Sequence, residues 1–118
     1  MKPIVVILVE SDPRISPRPA EAIRVAAGLS AQEQVAVRLC LLGPAVFVLG
    51  DRRDPLVDEA SLADYLPLAV ECCGPILVSG AHPSGEPTEA RPGPGAVQTI
   101  EDAALARVLA EAACLLRF

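Results

Sequence analysis

The sequence predicts an α/β fold: a single open, mostly parallel sheet of 4–5 strands with helices on both faces, Rossmann-like in outline. Three observations carry this. Ile4–Val9 is an unbroken β-branched and leucine run, the composition of a strand buried on both sides of a parallel sheet. Similar short apolar runs recur and alternate with segments of helical period. Short turns join them, and no internal repeat interrupts the series, as expected for successive βαβ units.

The elements follow in order. Asp12–Pro19 is a turn-rich loop with three prolines, and Pro19 suits the first position of a helix. In that helix Ala22, Val25, Ala26 and Leu29 fall on one face, with Glu21 and Arg24 opposite. Gln32–Gln34 ends it before a second strand, Val35–Leu41. Gly43–Pro44 then punctuates the chain, and Ala45–Leu49 reads as a short apolar helix. Asp51–Pro55 is a charged turn. Asp58–Cys73 is helical, with Leu62, Leu66, Ala69 and Cys73 on the buried face and Pro67 expected to kink or divide it. Gly74 suits the left-handed cap.

Pro75–Ser79 is a third strand, followed by a proline- and glycine-rich loop over 80–95. Ala96–Ile100 is a fourth, shorter strand, and Thr99 and Asp102 have the spacing of a capping box. A last helix running to about Ala113 is expected to bury Leu105, Val108, Leu109 and Ala112. Leu115–Phe118 is an edge strand.

Composition bounds the function. The 118 residues make one domain, and their 52% hydrophobic content rules out intrinsic disorder. A net charge of −5 is a poor match to phosphate backbones or anionic membranes, so neither nucleic acid nor membrane is an expected partner. The longest uncharged apolar stretch, Leu39–Gly50, is too short to span a bilayer. The apolar run after Lys2 ends at Glu10 without a small-residue cleavage site, and a cytoplasmic location is expected. The four cysteines, Cys40, Cys72, Cys73 and Cys114, lack paired CxxC spacing, and His82 is the one histidine, so no metal site is expected. No cofactor is expected either: the chain holds neither G-x-G-x-x-G nor a P-loop.

In open α/β sheets ligands collect beyond the carboxyl ends of the strands. That rule selects Glu10–Arg18, Leu42–Ala45 and Ser79–Gly95. Arg14, Gly43, Ser79, Gly80 and His82 are the expected pocket residues. Ser79 and His82 have the chemistry of a nucleophile and base, and with Arg14 they define an esterase or phosphate-handling alternative, though no G-x-S-x-G elbow is present. Cys72 and Cys73 are the candidate reactive thiols. They sit at the C-terminus of a predicted helix, whose dipole disfavours a thiolate, and Cys73 falls on the buried face. Cys40 and Cys114 read as core fillers.

The order of elements resembles the DsrE/DsrF/DsrH-like family, small α/β proteins that include bacterial sulfur-relay subunits. The likeness rests on Pro3–Val9, on VAVRLCLLGPAVFVL over Val35–Leu49, on VQTIEDAAL over Val97–Leu105 and on ACLLRF over Ala113–Phe118. The resemblance implies a DsrE-like domain over 1–118 that forms a homo-oligomer. In sulfur-carrying members a cysteine directly after the third strand bears a persulfide, and here Ser79 takes that position. Family members without the cysteine look like binding or assembly subunits. The expectation is therefore a non-catalytic small-ligand-binding or assembly subunit. The alternative is a sulfur-relay carrier using Cys72 or Cys73 with a relay protein as partner.

Overall fold

Five strands, β1 (Ile4–Val9), β2 (Ala36–Leu41), β3 (Ile76–Ser79), β4 (Val97–Ile100) and β5 (Cys114–Arg117), form one sheet in the order β4-β3-β2-β1-β5. Every pairing is parallel. The structure, a computed structural model, describes residues 2–49, 55–79 and 97–118. The expected charged turn and the 80–95 loop therefore lie wholly or largely outside the described residues.

Among the described residues three α-helices complete the layers: α1 (Arg18–Ala31), α2 (Glu59–Cys73) and α3 (Asp102–Ala110). A 3₁₀ helix, Gly43–Val48, takes the place of the short apolar helix expected after the second strand. Its first residue, Gly43, has φ +53°, a conformation costly for a side-chain-bearing residue and open to glycine.

The unbroken apolar run of β1 is explained by its two faces. Val5, Ile7 and Val9 pack under α1 and α2, together with Val37, Leu39 and Leu41 of β2 and Ile76 and Val78 of β3. Val6 and Leu8 point the other way and meet α3, with Cys40, Leu77 and Ile100. Each such buried aliphatic side chain contributes about 1.5–3 kcal/mol, so the sheet interior dominates the stability.

Several local expectations are revised. The buried face of α1 is Ala22, Ile23, Ala26 and Ala27, while Val25 and Leu29 are half-buried flanks. α2 runs uninterrupted through Pro67. Pro67 is exposed, as is Ala63, so water can solvate the carbonyl that loses its partner. Gly74 ends α2 at φ +75°, ψ −161°, a positive-φ extended conformation and not the left-handed cap. Thr99 makes no capping box: it is held in β4 by pairing with Val78, and Glu101 precedes α3 without a side-chain cap. α3 stops at Ala110 and contains no buried residue, so Leu105, Val108 and Leu109 only half-bury against the sheet, as does Ala112 beyond it. β5 begins at Cys114, which is exposed and fills no core.

No helix among the described residues is long and apolar enough to cross a membrane. No group of three or more histidine, cysteine or acidic side chains among them could hold a metal ion.

Candidate functional site

The chain builds outward from β1 through β2 and β3 to β4, then returns to place β5 on the other side of β1. The strand order thus reverses between β1 and β5, and the carboxyl ends there form the crevice where such sheets bind ligands.

Two arginines from the loop before α1 and from its first turn define this edge. Asp12 accepts from the Arg14 backbone N–H at 2.9 Å, and its carboxylate pairs with the guanidinium at 2.8 Å. The Arg14 hydrogen bond holds the Asp12 carboxyl below its usual range. The guanidinium of Arg14 also lies 4.2 Å from the ring centroid of Phe47 in the 3₁₀ helix. Arg18 donates to the Arg117 carbonyl at 3.1 Å and sits 5.8 Å from the Phe118 ring centroid. It makes no ion pair among the described residues. Arg117 in turn pairs with Glu10 at 2.7 Å, and the Glu10 N–H donates to the Phe118 carbonyl. Two guanidinium groups are thereby fixed over ring faces, one neutralised by a carboxylate and one not.

The sequence-predicted residues divide. Arg14 and Gly43 belong to adjoining segments, joined through the Arg14–Phe47 contact. Ser79 closes β3, and continuing the pairing of Leu41 with Val78 brings it level with Leu42, one residue before Gly43. Gly80 and His82 lie outside the described residues. Sequence reasoning missed Glu10, Phe47, Arg117 and Phe118. The roles of Glu10, Arg117 and Phe118 depend on where the fifth strand docks, which cannot be read from local pattern, and that of Phe47 on how the 3₁₀ helix after β2 meets the loop after β1.

The thiols sit elsewhere. Cys72 and Cys73 end α2 and therefore lie at the amino ends of the strands, opposite Ser79. A cleft of about 620 Å³ opens there, lined among others by Lys2, Ser30, Glu33, Arg38, Cys72 and Cys73. Cys72 is exposed and Cys73 buried. The Cys73 thiol lies 3.0 Å from the Ser30 hydroxyl and faces the Ala26 carbonyl at 3.7 Å. Burial pushes the Cys73 thiol pKa up, the Ser30 hydrogen bond pulls it back, and neighbouring Cys72 adds a further upward push. Cys40 is buried under α3, and desolvation raises its pKa to about 11. All four cysteines are free, and Cys114 is exposed at the amino end of β5.

No family model matches the sequence, and no curated protein matches it. Among solved structures the chain is similar to the ychN protein from E. coli, with TM-score 0.76 and 22% identity over 100% of both chains. That neighbour is a DsrE-like fold protein. At this identity the likeness establishes the fold: this chain is a single all-parallel α/β sheet of DsrE-like architecture.

Proposed function

We propose that this chain is a cytoplasmic, non-catalytic DsrE-like subunit that binds a small ligand or serves in assembly, and that it works as a homo-oligomer. Its pocket lies at the carboxyl ends of the strands, with Ser79, Gly43 and Arg14 as lining residues and Gly80 and His82 completing it from outside the described residues. The observation that supports this reading is the distribution of thiols. Among the described residues, no exposed cysteine stands at that edge: Cys72 and Cys114 are at the amino ends, and Cys40 and Cys73 are buried. A buried thiol with a raised pKa is a poor persulfide acceptor at neutral pH, because the thiolate is the nucleophile.

The second reading, a sulfur-relay carrier, is favoured by one feature: exposed Cys72 stands on the 620 Å³ cleft. Intact mass after incubation with a persulfide donor separates the two. Under the first reading the mass is unchanged. A one-sulfur adduct that is lost in Cys72→Ser would establish the carrier instead.

A further inference from the structure

The two faces of the sheet are covered unequally. Among the described residues, α1 and α2 lie side by side on one face and α3 is the one helix on the other. Edge strand to edge strand, five strands span about 19 Å, while one helix with its side chains is about 10 Å across. Among the described residues a single helix covers about half of such a face, and the burial pattern agrees. No residue of α3 is buried, although Ala104, Leu105, Val108 and Leu109 pack against the sheet. Leu115 pairs with Val6, so it faces the α3 side, and it is 45% exposed. Beside α3 a groove of about 320 Å³ is walled by Ile4, Leu77, Ile100, Ala104 and Val108.

We propose that a second copy of this chain docks on this face, its α3 lying beside the first so that two helices fill the layer between two sheets. This rests on the homo-oligomer reading above and assigns its interface. Charge identifies the occupant. Arg38 and Glu111 both line the groove, Arg107 projects from the exposed side of α3, and none of the three makes an ion pair among the described residues. A patch carrying both signs suits its own copy across a two-fold axis, where cation meets carboxylate reciprocally. A partner of one sign would leave half of those charges unmatched. The outward positions Ala103, Ala106 and Ala110 are exposed and small, so they set no steric barrier to close approach. The other large exposed apolar residues among those described, Ile15 and Leu68, stand singly on the loop before α1 and on α2, which is ordinary for a surface.

The test is molar mass by light scattering on size exclusion, with circular dichroism melts as the folding control. Wild type is expected above 12.3 kDa, and Ala106→Glu and Leu115→Glu are each expected to shift it to that monomer mass with the far-ultraviolet spectrum unchanged. Both sites are exposed in the single chain, and Leu115→Gln serves if the charged variant fails to fold. An oligomer that persists in the α3-face variants but dissociates in Leu68→Glu overturns this interface while keeping the assembly reading. Persistence in all three also overturns the interface. Wild type that stays monomeric at every concentration overturns the assembly reading, and the interface with it.

Discussion

Ile7 and Leu8 are neighbours in one strand and meet two different packing environments. Ile7 is fully buried beneath α1 and α2, in a core continuous from Val5 through Leu39 to Ile76. Leu8 faces α3 in a cluster whose other buried members among the described residues are Val6, Cys40, Leu77 and Ile100. The contrast shows how little helix is needed to make an apolar strand legible, and how much is needed to seal it. The largest expected effect breaks this comparison directly. Ile7→Ala should destabilise by about 2–5 kcal/mol, the range for a cavity in a closed core. Leu8→Ala should cost about 2 kcal/mol or less in the isolated chain, since α3 has room to settle. Urea unfolding at low protein concentration measures both, and equal costs would mean that the faces are equally sealed. Should the α3 face dock a second copy, the Leu8→Ala deficit grows with protein concentration while that of Ile7→Ala does not.

The same contrast explains what was legible in the sequence. β1 and β2 announce themselves because both of their faces are apolar, and parallel strands with short crossovers follow from that composition. Ile23 and Ala27 were missed on α1 because its neighbour on the sheet is α2, and packing between helices widens the buried stripe beyond the face read from spacing. α3 misled in the opposite direction. Leu105, Val108 and Leu109 carry the pattern of a buried helix, yet periodicity reports which face is apolar and not what covers it. The carboxyl edge was half legible: Arg14 and Ser79 follow from their place after strands. The Glu10–Arg117 and Arg18–Phe118 contacts require β5 to lie next to β1, a non-local fact absent from any window of sequence.

A smaller effect sharpens the closed side. The Ser30–Cys73 contact bridges α1 and α2, the two helices that seal that face. Ser30→Ala should cost about 1 kcal/mol, the net worth of one hydrogen bond. It should also slow alkylation of Cys73, because the hydroxyl is the interaction holding the thiol pKa down. Alkylation rates followed against pH in a Cys72→Ser, Cys114→Ser background isolate that thiol from the exposed ones. A rate that rises in Ser30→Ala would mean that burial by the helix pair, and not the hydrogen bond, governs access to Cys73.

The smallest effect lies at the carboxyl edge, where neither face dominates. Asp12 is held below its usual value of 3.8 by the Arg14 hydrogen bond, so the folded state binds that proton less tightly than the unfolded chain does. The pair therefore contributes its full stability above pH 3.8, and that contribution is lost as pH falls through the lower folded value. Both side chains are partly exposed, 39% for Arg14 and 16% for Asp12, so solvent screens the pair and the net gain stays below about 1 kcal/mol. Asp12→Asn should accordingly lower the melting temperature slightly at pH 7 and leave it unchanged near the acid end of the transition. A deficit that persisted at low pH would assign the role of Asp12 to the loop hydrogen bond with the Arg14 N–H, which an asparagine oxygen can also accept. That outcome would move the rigidity of this edge from charge to backbone geometry, with the Asp12 side-chain oxygen acting as an acceptor for the Arg14 N–H.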